Sequence, residues 1–117
     1  MGDRIMWARH EDTERIWLHE NAEYSYRLIT EAKQGSSFSF HLTTYLPYLD
    51  TIVEGDGEHE TVLFCLHGFA HHLDLADDRV FEFRPGHAMY LPRRYRYRRT
   101  VGSAGMTVAV ACTPSRP

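Results

Sequence analysis

RPGHAMYLPRRYRYRR, residues 84–99, reads as turn, strand, turn, strand. Pro85-Gly86 supplies the fixed φ and the open backbone of a tight turn, HAMYL is short and half apolar, and Pro92 interrupts it. From 93 to 99 five arginines alternate with two tyrosines. Successive side chains of a strand point to opposite faces, so Tyr95, Tyr97 and Arg99 share one face and Arg94, Arg96 and Arg98 the other. The expected arrangement is a solvated arginine row over a buried tyrosine face; a contact to an anion or to RNA is the alternative for the same row.

Outward from this stretch a period of two dominates. Strands are expected over 24–31, 36–46, 61–67, 69–75, 79–84, 87–91, 95–101 and 106–112, separated by turn-rich AKQGSS, EGDGEHE, ADD, RPG, LPRR and GSAG. Turn signals every eight to fifteen residues imply an all-β barrel or sandwich. The opening residues 1–20 lack a clean period, DTERIWL offers one helical turn, and the segment is expected as a lead-in along a barrel of residues 21–117. No linker, repeat or low-complexity segment interrupts it.

With 117 residues, 43% of them hydrophobic, the chain has the size of one domain with one core. Its net charge of -3 supplies no general basic field for nucleic acid, and no apolar run is long enough to span a membrane. The polar, acidic N-terminus does not read as a signal peptide, which gives a cytoplasmic expectation. Cys65 and Cys112 lie in apolar strands without metal-ligand spacing and read as reduced core or pocket thiols.

The spacing of Gly86 and Pro92, and of Gly68 closing VLFCLHG, resembles the two motifs of the cupins, small double-stranded β-helix (jelly-roll) barrels. Among cupins the chain resembles the ectoine synthases over roughly 20–114, through EN before Tyr24, SFHLT at 39–43, FCLHG at 64–68, RPG at 84–86 and ACTP at 111–114. The resemblance implies a single-domain cupin barrel. It also implies metal ligands at three positions, where this chain carries Thr61, Met89 and Tyr97. A threonine, a thioether and a phenol are poor ligands for iron or zinc. The C-terminal segment that contributes to the ectoine synthase site has no counterpart before Pro117. The expectation is therefore a cupin with no metal cofactor that is not an ectoine synthase. A one-residue bulge would instead bring Glu60 to the glutamate position, with Glu54 and Asp56 at ligand spacing for a hard cation.

Alternation anchored on this resemblance turns Ser39, His41, Thr43 and Tyr45 inward, with Phe38, Phe40 and Leu42 outward. It also turns inward Tyr24, Tyr26, Leu28 and Thr30; Thr61, Leu63, Cys65 and His67; Met89, Leu91, Tyr95 and Tyr97; and Val108, Val110 and Cys112. That interior is rich in phenols, hydroxyls and imidazoles and without a charge cluster, a setting for acid–base chemistry on a small polar metabolite. His41 is the candidate general base or acid and Tyr97 its proton-donating partner. Tyr24, Tyr26, Thr43, Tyr45, Thr61, His67 and Cys112 are candidate substrate contacts. Of His71 and His72 at most one reaches the interior; His10, His19, His59 and His87 are expected at the surface.

Ectoine synthase closes a ring by losing water, so the implied function is a metal-independent dehydratase, cyclase or isomerase, in specialised-metabolite biosynthesis by analogy. The alternatives are a non-catalytic small-molecule-binding barrel and a metal-dependent cupin using Glu60. A homodimer through the outward Phe38, Phe40, Leu42 row is expected, with no nucleic acid or membrane partner.

Overall fold

The computed structural model describes residues 4–117; the first three residues of the expected lead-in lie outside it. After a single 3-10 turn at His10–Asp12 come β1 (Arg15–Leu18), β2 (Glu23–Ile29), a short α1 (Glu31–Gln34), β3 (Ser39–Tyr45), β4 (Asp50–Glu54), β5 (Glu60–Asp74), β6 (Arg79–Phe83), β7 (Ala88–Leu91) and β8 (Arg96–Thr113). All pairings are antiparallel, in the order β1-β2-β3-β8-β5-β6, with β4 added to β8 and β7 to β5.

β5 and β8 hold the barrel together. They pair from Glu60↔Thr113 to Asp74↔Tyr97, through two register shifts around Leu66 and Phe69. One half of this long ribbon carries β3 and β7, the other β4 and β6, so one bent pair supplies both walls. The bend explains why four expected strands are two. CLHGF and GSAG look like turns, but here their glycines form bulges, which kink and twist a strand without ending it. Gly68 and Gly105 both have positive φ, +74° and +71°. A Cβ on Gly68 would collide with the Gly105 carbonyl oxygen.

The lead-in contains a strand where DTERIWL offers a helical turn: Arg15–Leu18 pairs with β2. AKQ belongs to α1, capped by Thr30 Oγ1 accepting from Lys33 N at 3.1 Å and closed by Gly35 in the left-handed region. β4 is an additional edge strand. Its acids complete the arginine row, Asp50 pairing with Arg98 at 2.6 Å and Glu54 with Arg96 at 2.8 Å, so the expected solvated arginine face is present with its partners.

The core is Leu63, Cys65, Ala70, Phe83, Met89, Leu91, Val101, Met106 and Val108. Each large apolar member stabilises the fold by about 1.5–3 kcal/mol. Ser39, His41, Thr43 and Tyr45 turn inward on β3, at 4% exposure or less, as alternation requires.

Gly68→Ala combines a forbidden φ with a backbone clash at the bend. It is expected to cost at least about 2 kcal/mol, read as a lower urea midpoint; an unchanged midpoint would remove the hinge role.

Candidate functional site

An open cavity of about 250 Å³ lies in the barrel. Of the candidate site residues it brings together His41, Thr43, Tyr45, Thr61, Tyr97 and Cys112. Thr61 Oγ1 and Cys112 Sγ lie 3.3 Å apart, bridging β5 and β8.

Three candidates lie elsewhere. Tyr24 and Tyr26 face outward, where Arg15 stacks 4.3 Å from the Tyr24 ring and donates to Tyr26 Oη at 2.8 Å. The register explains it: Ser25 pairs with Thr43 and Arg27 with His41, so the inward face of β2 is Glu23, Ser25 and Arg27. Alternation divided β2 correctly, but the aromatic half is the outer one. His67 is exposed, because the bulge after Cys65 shifts the phase of β5 by one residue.

The interior also differs from expectation in charge. Glu23, Arg27, Arg99 and Arg116 all line the cavity, with His19 at its edge. His41 and Tyr97 do not bond to each other; each is held by its own arginine. Arg27 Nη1 donates to His41 Nδ1 at 2.8 Å and to Ser25 Oγ at 3.2 Å. With Nδ1 accepting, the His41 proton sits on Nε2, which is buried with no partner. Burial, then Arg27, Arg116 and Lys33, lower the His41 pKa to about 4. At neutral pH His41 is thus an uncharged imidazole whose Nδ1 is occupied by Arg27 and whose Nε2–H is left as a buried donor.

Around Tyr97 the pattern repeats. Arg99, 3% exposed, donates from Nη2 to Tyr97 Oη at 2.5 Å and from Nε to His72 Nε2 at 3.3 Å, and lies 4.2 Å from the Tyr45 ring centroid. His72 is fully buried against Phe81, Phe83 and the Tyr97 ring. Burial, then Arg99 and His71, lower its pKa to about 3. Burial raises the Tyr97 pKa and Arg99 opposes it, so the phenol keeps its proton while its phenolate has a cation at hand. Burial also raises the pKa of Glu23, against the pull of His19, Arg99 and Arg27; its Oε1 lies 3.2 Å from His19 Nε2.

The chain's last residues cross the cavity mouth. Ser115 Oγ accepts from Glu31 N, Arg116 N donates to Ser39 Oγ at 3.0 Å, and Arg116 Nη2 reaches Asp56 at 3.3 Å. The Asp56 pKa is pushed down by the amides of His59 and Glu58 and by the His59 ring.

A divalent metal does not fit this donor set. Of the imidazoles that line the cavity, His41 offers Nδ1 to a guanidinium and His19 lies against the Glu23 carboxylate, while Glu54 is engaged by Arg96. Glu60 points outward, accepting from Tyr90 Oη at 2.7 Å with Arg93 at 3.5 Å, so the bulge that would make it a ligand does not occur. Among the described residues, the one group with three ligand atoms within 4.8 Å is Asp56, Glu58 and His59, in the β4–β5 loop.

These features define a cupin-fold barrel with a polar cavity. The chain is similar to ectoine synthase from P. lautus, at TM-score 0.82 and 16% identity over 96% of this chain and 80% of that one. It is similar also to the polyketide cyclase RemF from Streptomyces resistomycificus, at 0.76 and 19% over 97% and 80%, and to KdgF from Halomonas sp., at 0.79 and 9% over 97% and 96%. At these identities the likeness is one of fold. No family model and no curated protein matches the sequence. Among the described residues no helix is long and apolar enough to cross a membrane.

The buried histidines set a pH dependence. Their folded pKa values lie below the ordinary 6.5, so between about 4 and 6.5 the unfolded chain binds more protons and stability falls as pH drops. Glu23, shifted up, acts in the opposite sense just above 4.5. Urea midpoints are expected to fall from pH 7 to pH 5, and the double variant His41→Gln, His72→Gln to flatten that fall. An identical slope in the variant would refute the assignment.

Proposed function

We propose that the protein is a metal-independent cupin enzyme that removes water from, cyclises or isomerises a small polar metabolite. The observation that carries this is the presence of a protonated phenol and a carboxylate, Tyr97 and Glu23, in one cavity with a guanidinium on the phenol. In the elimination form, Glu23 takes the proton from a carbon next to a substrate carbonyl. Tyr97 gives its proton to the leaving hydroxyl oxygen as the C–O bond breaks, and water departs. Arg99 stabilises the phenolate so formed, and transfer of the proton from Glu23 through water restores both groups. His41 Nε2–H donates to the carbonyl oxygen as charge builds there, which a neutral imidazole does without losing its own proton. Thr43, Thr61 and Cys112 orient the substrate.

The similarity to ectoine synthase and to a polyketide cyclase supports ring closure or water loss within this range. A binding barrel without turnover is the second reading, favoured by the unpartnered His41 Nε2, which needs only a ligand acceptor. Mass spectrometry of candidate metabolites incubated with the protein separates them. Product formation is expected, with turnover lowered about 10²-fold or more in each of Tyr97→Phe, Glu23→Gln and His41→Ala. Ligand recovered unchanged, or full turnover in Tyr97→Phe and Glu23→Gln, would refute the mechanism.

We infer a cytoplasmic location from the free thiols Cys65 and Cys112. We also infer a homodimer through the outer sheet face, where Phe38, Val62, Phe64, Leu66 and Tyr90 are exposed and the expected Phe40 and Leu42 are half-buried. Phe64→Asp is then expected to sediment as a monomer and the parent chain as a dimer; a monomeric parent would refute this.

A further inference from the structure

We propose that the ligand of this cavity is a small organic anion carrying a carboxylate or enolate, held by Arg27 and Arg99, with the buried Arg99 guanidinium supplying the positive charge that faces it. The proposal rests on the site described above and adds to it the charge of the ligand.

Among the described residues neither Arg27 nor Arg99 has a carboxylate within 4.0 Å, although every one of the ion-paired arginines lies partly in solvent. Glu23 lines the same cavity and acts on both arginines from beyond 4.0 Å, in contact instead with His19, so neither guanidinium has a counter-ion in contact; that arrangement is unfavourable, and proteins keep one where an anion is to be met. The neutral groups around Arg99 orient it without neutralising it. His72 and Tyr97 take N–H bonds from Nε and Nη2, and Tyr45 offers its ring face. None of those bonds uses Nη1. Arg27 is treated alike: its partners are Ser25 and His41, and its Nε is buried and unpaired. His41, 2% exposed, lines the same cavity with an unpaired Nε2–H, a further donor and no acceptor.

Along β3, His41 and Tyr45 mark the two arginines and stand about 13 Å apart by strand rise. The cavity of about 250 Å³ is about eight waters' worth of space. Both limits suit an extended metabolite of roughly ten non-hydrogen atoms with an acidic group at one end and an oxygen that gains charge at the other. A planar guanidinium fork matches carboxylate oxygens in two parallel hydrogen bonds.

Calorimetric titration at constant ionic strength, with chloride as the balancing anion, tests this with acetate, malonate, succinate, inorganic phosphate and glycerol. At least one carboxylate is expected to bind the parent chain at one site, and to bind Arg99→Met and Arg27→Gln at least tenfold more weakly. Arg96→Gln should keep the parent's affinity within threefold, since it removes a positive charge from the outer row, where Arg96 pairs with Glu54 away from the cavity. In the parent chain the same carboxylate should shift the Arg99 Nε–H resonance, a measurement that needs no variant to fold. Binding by glycerol or phosphate alone, no binding by any carboxylate, or an unchanged affinity in both arginine variants would overturn the proposal. Turnover of a neutral substrate would overturn the ligand charge and leave the acid–base reading intact. Carboxylate binding with no turnover of any anionic metabolite would do the reverse.

Discussion

Everything in this barrel follows from one bent ribbon. β5 and β8, 15 and 18 residues long, are hydrogen-bonded along nearly their whole length, and each belongs to both walls. Antiparallel pairing fixes which side chains share a face, and the bulges around Gly68 and Gly105 let one pair fold over on itself. The consequence for chemistry is direct. Thr61 and Cys112 reach the cavity from one half of the ribbon and Tyr97 and Arg99 from the other, so residues remote in sequence meet around one ligand-sized space.

That space is lined at unusual cost. Arg99 and two histidines are withdrawn from water and Arg27 partly so, with burial and the neighbouring cations holding both imidazoles neutral. An interior of leucine and valine would be more stable. The arrangement is regular: Arg27 donates to the imidazole of His41 and Arg99 to the phenol of Tyr97.

How much of this was legible depended on the strand. On β3 the alternation and its direction could both be read, because Thr43 anchored the face. On β2 the division was readable and the direction was not: tyrosines look like core beside Glu23, Ser25 and Arg27, but the hydrophobic rule reverses where the interior is a cavity. β4 was missed because DTIVE is short, acidic and at an edge; only the arginines opposite give it a reason to be a strand. Arg99 stood in plain view on the tyrosine face of 95–99, and its burial was the signal that composition could not carry. Arg116 had no local pattern, since tail packing sets it; alternation limited the interior to one of His71 and His72, and the phase change at the bulge turns His72 in.

The final turn of the chain has a practical bearing. Its Ser115 and Arg116 are stitched to α1, β3 and the β4–β5 loop, and the arginine side chain forms part of the rim. Recoding these two residues would open that rim while leaving every strand of the barrel, the last of which ends at Thr113, in place.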